Sequence, residues 1–152
     1  MKEEYKNDKF LVAMDAAGAD VDGALNRFMG KVSLYKKFMK KFLEDRSYPD
    51  MLESLAGHDP EEAFRQAHTL KGVAGNLGIN NLLAVLVPMV EVLRAGKEPS
   101  EEQVSACKVE YGKIVDISER DWSELHGAVP RKRRRIFGCS ELGELHRRAA
   151  CI

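Results

Sequence analysis

The stretch His58-Asp59-Pro60-Glu61-Glu62-Ala63-Phe64-Arg65-Gln66-Ala67-His68-Thr69-Leu70-Lys71-Gly72-Val73-Ala74-Gly75-Asn76-Leu77-Gly78 decides the fold class of this chain. It opens as a helix start. Asp59 can accept amide protons as N-cap, Pro60 needs no donor at the first helical position, and Glu61 and Glu62 sit at the positive end of the helix dipole. Gly78 supplies the left-handed residue that stops the helix after Leu77. At about 100° per residue, Ala63, Ala67, Leu70, Ala74 and Leu77 fall within about 80° of one another, a single apolar stripe. Measured from His68, Lys71 lies about 60° one way, Gly72 about 40° the other, and Gly75 about 20° away one turn on. The face away from the stripe thus carries an imidazole, an ammonium and two residues without side chains.

The same spacing of three and four extends in both directions, and no segment alternates as a strand would. An all-α domain is expected. Toward the N-terminus, Asp8 to Ala17 places Phe10, Met14 and Ala17 on one side before Gly18, and a second short piece runs from Val21 to Met29; together they read as a packing arm. A long segment follows Gly30, with Leu34, Phe38 and Phe42 four apart, then Met51, Leu52 and Leu55. Pro49 is expected to kink it by removing a backbone donor, and Gly57 ends it. Toward the C-terminus, Asn80 or Asn81 caps a further helix through Leu93. Pro88 inside that helix predicts a bend near Ala84 to Pro88. Ser100-Glu101-Glu102-Gln103 is a capping box for a last helix reaching roughly Leu125, with Trp122 as its anchor. Four substantial helices joined by short loops predict an antiparallel four-helix bundle with a short N-terminal helical arm.

The chain of 152 residues has 24 basic and 24 acidic side chains and a formal charge of zero. The zero joins two unlike parts. Residues 131–152 hold seven basic groups against two acidic ones, a local +5, and the other 130 residues hold 17 against 22, a local −5. After Gly127-Ala128-Val129-Pro130 the composition turns abruptly to Arg131-Lys132-Arg133-Arg134-Arg135, so the domain is expected over residues 1–126 and a basic tail, flexible or appended, over 127–152. With 44% apolar and 32% charged residues, the composition is globular rather than disordered. No apolar run reaches the roughly 18 residues of a membrane span, and MKEEYKNDKF lacks a secretory h-region, so a soluble, cytoplasmic protein is expected. Cys107, Cys139 and Cys151 leave an odd thiol, which suits a reducing compartment; Cys107 is expected to pack as a small hydrophobe. His58, His126 and His146 show no metal-ligand spacing, and no metal site is expected.

Glycine inside a helix costs about 0.5–1 kcal/mol relative to Ala, so two of them beside His68 imply another purpose. At Gly72 the purpose is access: without a Cβ, another protein can approach the imidazole closely. Gly75 can serve the same end or relieve a tight helix crossing. A neutral imidazole is a nucleophile at its ring nitrogen. A phosphoryl group placed there brings roughly two negative charges, which Lys71 would partly offset.

These residues resemble a family. His68-Thr69-Leu70-Lys71-Gly72, extended by Ala74, Leu77 and Gly78, is similar to the signature of histidine-containing phosphotransfer (HPt) domains of two-component phosphorelays. Ala24 to Gly30 with Leu34, Tyr35 and Phe42, and Leu82 to Glu91, extend the likeness to roughly residues 8–125. The resemblance implies a bundle that takes a phosphoryl group from an aspartyl phosphate of one response-regulator receiver domain or hybrid sensor kinase and passes it to another. It makes His68 the phospho-accepting residue, Lys71 the phosphate-stabilising neighbour and Gly72 the position kept small, with Phe64, Arg65 and Gly75 on the partner-docking surface. It implies no cofactor in this chain and Mg²⁺ in the receiver partner. It also implies a monomer without small-molecule substrate, acting as a relay intermediate rather than an ATP-dependent kinase; the chain has no P-loop or Gly-rich nucleotide fingerprint.

Two other readings compete. A non-relaying HPt-like binding module would dock a receiver without passing phosphate on, and its hallmark would be loss of the histidine, which is present as His68. The run Arg131 to Arg135 could hold nucleic-acid phosphates, yet the body is acidic and no recognition motif accompanies the run, so no nucleic-acid partner is expected. An appended segment explains the run equally well.

Overall fold

A computed structural model describes residues 3–126, with side chains as far as Asp121. Among these residues there are seven α-helices and no strand: α1 (Lys9–Ala16), α2 (Val21–Arg27), α3 (Val32–Glu44), α4 (Ser47–Ala56), α5 (Pro60–Asn76), α6 (Asn80–Arg94) and α7 (Glu101–His126), preceded by a 3-10 turn, Glu3–Tyr5. The all-α class is as expected. The Trp122 side chain and the basic tail, 127–152, lie outside the described residues.

Local chemistry starts most of these helices. Asp8 accepts the amides of Phe10 and Leu11 at 3.0 and 3.2 Å, Asp20 that of Gly23 at 3.1 Å and Asp59 that of Glu62 at 3.2 Å. The α7 box closes in both directions: the Gln103 amide donates to Ser100 Oγ at 3.2 Å, and the Ser100 amide to Gln103 Oε1 at 3.0 Å.

Two expectations are corrected. The long segment after Gly30 is two helices, and the break falls at Asp45 and Arg46 rather than at Pro49. Asp45 is extended, with ψ 139°, and its carboxylate accepts the Ser47 amide at 2.7 Å. Pro49 then falls in the first turn of α4, where its missing N–H would have had no helical acceptor. Neither Asn80 nor Asn81 caps α6; Ile79 is the N-cap residue, without a side-chain bond. Asn81 instead reaches back across the fold and donates to the Ala17 carbonyl at 2.9 Å. Pro88 lies within the unbroken span of α6, leaving the Ala84 carbonyl without its amide donor four residues on.

Short loops fold α4, α5 and α6 back on one another, and α5 packs between the other two. The small stripe makes that possible: Ala63, Ala67 and Ala74 are completely buried, with Leu70 and Leu77 beside them. Helix α6 packs in turn on α7, which also receives α1 and α3. The α3 face that enters the core is Tyr35, Met39 and Phe42, whereas Phe38 stays 40% exposed. Cys107 is fully buried, and burial pushes its thiol up to about 12, so it packs as an apolar group.

The C-terminal end of α5 is bonded from several parts of the chain. Gly78 takes φ +70°, and the Ile79 amide donates to the Ala74 carbonyl at 3.0 Å and the Gly78 amide to the Gly75 carbonyl at 3.2 Å. This is a Schellman termination. Further donors reach this end from earlier in the chain. Arg27 donates from Nε to Asn76 O at 3.0 Å and from Nη2 to Gly75 O at 3.1 Å. The buried Tyr35 hydroxyl donates to Leu77 O at 3.0 Å, and the Asp20 amide to Gly78 O at 2.8 Å. Burial pushes the Tyr35 phenol far above its ordinary range, so it remains a neutral donor.

Gly78 and Gly96 both have positive φ, but their surroundings differ. A Cβ at Gly78 would lie 2.6 Å from the Asp20 carbonyl oxygen, and one at Gly96 would meet nothing within 4 Å. Gly96→Ala should therefore lose about 1 kcal/mol, the left-handed strain alone. Gly78→Ala should lose at least ~2 kcal/mol, because strain and backbone clash combine. Urea denaturation of the two variants checks this; equal losses would contradict the close approach of the arm to α5.

Candidate functional site

Because α4 and α6 flank α5, one lengthwise face of α5 is left to solvent. His68 lies on it, exposed, one residue after the buried Ala67 and two before the buried Leu70. Among the described residues no side chain or backbone group hydrogen-bonds its ring. The ring's neighbour is Phe64, one turn earlier, with centroids 5.7 Å apart and planes inclined by 25°. Phe64 is half-buried, and the Arg94 guanidinium at the end of α6 lies over its ring, 5.6 Å from the centroid.

The other expected residues divide by what holds them. Lys71 is half-buried and makes no ion pair among the described residues, so its ammonium is uncompensated. Arg65 is exposed but engaged: its Nε and Nη2 donate to Glu62 Oε2 at 2.9 and 2.6 Å, and Nη1 lies 3.7 Å from Glu61. Hydrogen bonds from Gln66 and Arg65 hold the Glu62 carboxyl below the usual carboxylate range. Gly72 is exposed and Gly75 half-exposed, and a Cβ built on either would meet nothing within 4 Å. The alternative left open for Gly75, a tight helix crossing, is thereby excluded: its openness faces solvent.

Chemically, the arrangement offers an imidazole that no carboxylate orients among the described residues, unlike the base of a hydrolytic triad. What remains is a nucleophilic nitrogen with an adjacent free cation and open ground on either side of the helix axis. Among the described residues no group of three or more His, Cys, Asp or Glu side chains is placed to hold a metal ion. A groove of about 360 Å³ opens on the far side of α5 from Phe64, lined by Arg27, Phe28, Phe38, Val73, Asn76 and Leu77. Phe28 and Phe38 stack within it at 5.1 Å.

Sequence reasoning missed Arg94. Phe64 is four residues before His68, so their contact is readable from helical spacing. The meeting of Arg94 with Phe64 depends on how α6 registers against α5, which no local signal carries. Among known families, the Hpt domain family model matches residues 39–128, more than half of the chain. The match takes in the last turns of α3 and all of α4, α5, α6 and α7. Comparison with curated proteins and with solved structures returns no match.

If both glycines face open solvent, the free protein gains from filling them. Gly72→Ala and Gly75→Ala should each stabilise it by roughly 0.5–1 kcal/mol, the helix-interior penalty of glycine. The urea midpoint at constant m-value reports this; a lowered midpoint would show that the backbone there is needed bare for packing.

Proposed function

The chain belongs to the Hpt domain family and so to phosphorelay signalling, and on that premise we propose that it relays a phosphoryl group between receiver-domain aspartates through a phosphohistidine at His68. Hpt domains interact with response-regulator receiver domains. The observation that carries the relay reading is the joint placement of an exposed His68, an unpaired Lys71 and two glycines with nothing before them.

The step needs little machinery. A ring nitrogen of His68 attacks the phosphorus of a receiver's aspartyl phosphate in line; the N–P bond forms and the acyl P–O bond breaks, the carboxylate leaving with the electron pair. The other ring nitrogen keeps its proton. Charge neutralisation and positioning dominate such transfers, and Lys71 offers its ammonium to the phosphoryl oxygens as they arrive. The receiver contributes the carboxylates that bind Mg²⁺. Reversal onto a second receiver completes the relay. Gly72 and Gly75 leave room for the receiver surface, with Arg65 and Phe64 at its margin. In this reading the donor is a hybrid sensor kinase or its receiver, the protein acts as a cytoplasmic monomer, and it needs no cofactor or small-molecule substrate of its own. Among the described residues no helix is long and apolar enough to cross a membrane.

Incubation with a phosphorylated receiver domain and Mg²⁺ tests the proposal. Wild type should acquire acid-labile, alkali-stable phosphate and His68→Gln none; equal labelling of both overturns the assignment. A non-relaying docking module would bind the receiver with neither protein labelled. Lys71→Ala should keep the fold and transfer about tenfold more slowly, as loss of one charge-assisted contact of about 1.5 kcal/mol implies. An unchanged rate would remove Lys71 from the mechanism.

A further inference from the structure

An exposed histidine on a helix ordinarily samples several rotamers, and transfer requires that one ring nitrogen meet phosphorus in line. Many functional histidines are oriented by a hydrogen bond to the second ring nitrogen. His68 has no such bond among the described residues. Its ring is stacked instead: 5.7 Å from Phe64 at 25°, within the range where aromatic rings attract.

Phe64 is itself held. Arg94 lies over its ring at 5.6 Å, a cation–π distance, and Arg94 Nη2 is 3.6 Å from Glu91 Oε1 on its own helix. Phe64 and Arg94 are equidistant in sequence from Ile79, at the α5–α6 turn. Two antiparallel helices joined there bring those positions level. The contact is therefore a product of the same hairpin that leaves the His68 face open, and it links the last turn of α6 to the imidazole through one aromatic ring.

We propose that Phe64 and Arg94 are positioning residues for phosphoryl transfer: Arg94 seats the Phe64 ring, and the Phe64 ring fixes the plane of the His68 imidazole. The inference rests on the relay reading of His68. It assigns Phe64 a role beneath the reacting group in addition to any contact with the receiver, and it gives Arg94 its effect through Phe64 rather than through the phosphate. Misplacing a reacting atom by about 1 Å can cost up to ~100-fold in rate, so loosening one ring of a stack should cost on the order of tenfold.

The test compares wild type, Phe64→Leu, Phe64→Tyr, Arg94→Gln and the Phe64→Leu/Arg94→Gln double variant. Far-UV circular dichroism and urea midpoints first verify that each is folded; Arg94 is exposed and Phe64→Leu keeps an apolar side chain of similar reach. Two readouts follow. NMR of the His68 ring protons should show an upfield ring-current shift in wild type that disappears in Phe64→Leu and survives in Phe64→Tyr. Transfer from a phosphorylated receiver with Mg²⁺ should fall about tenfold in saturating rate for Phe64→Leu, with recovery in Phe64→Tyr. Arg94→Gln should fall by a smaller factor, and the double variant should be no slower than Phe64→Leu alone. Multiplicative losses in the double variant would mean that Arg94 acts independently, which overturns its assigned role. Unmoved ring shifts with undiminished transfer in Phe64→Leu would overturn the inference while leaving the relay intact. If wild type takes no label, the relay reading fails, and the ring shifts still decide whether Phe64 orients His68.

Discussion

The carbonyl groups at the end of α5 constrain everything around them. A helix end leaves its last carbonyls without amide partners, and here donors from earlier in the chain reach them. The Schellman turn at Gly78 meets those of Ala74 and Gly75; Arg27 on α2 bonds Gly75 again and Asn76, Tyr35 on α3 bonds Leu77, and Asp20 before α2 bonds Gly78. A net hydrogen bond contributes about 1 kcal/mol, and one to a charged donor about 1.5–3 kcal/mol. The Arg27 charge also sits at the negative end of the α5 dipole. The helix that carries His68 is therefore fixed along its length by two different means: alanines buried between α4 and α6, and donors at its tail.

That division explains the site. Alanine on the buried stripe brings neighbouring backbones close, so α4 and α6 cover the flanks of α5 and confine exposure to one narrow face. A reactive group on such a face has a rigid base but no walls. In the proposed relay, orientation comes from within the face, from Phe64, and charge from Lys71. The rest of the polar surface near it is internally balanced, as the Arg65 contacts with Glu61 and Glu62 show. Lys71, three residues after His68, has no acidic partner among the described residues, so its charge stays available beside the imidazole.

Features encoded within one or two turns were legible in the sequence. The Asp59 cap, the Ser100 and Gln103 box, the Gly78 stop and the five-residue stripe of α5 depend on spacing alone, and each is where spacing puts it. Pro49 misled because a proline breaks a helix only where its amide would have been used; the nearby Asp45, with a side chain able to compete for the Ser47 amide, carried the true break. Asn81 misled for a related reason: a residue suited to capping was taken by a carbonyl 64 positions away in the chain. The exposure of Phe38 and the meeting of Arg94 with Phe64 are set by helix register across the fold. That His68, Lys71 and Gly72 share one face follows from their spacing on consecutive turns of α5, whereas Arg94 comes from another helix.

The donors that close the end of α5 bear on where this protein can be cut. Asp20, Arg27 and Tyr35 all precede residue 39, where the family match begins. A fragment trimmed to the matched span would keep His68, Lys71 and both open glycines, and would leave the Asn76 and Leu77 carbonyls and the apolar surface around Tyr35's vacated place to solvent. The recognisable part of the domain is thus smaller than the part that holds together. The arm, which makes no hydrogen bond to His68, braces the helix that carries it.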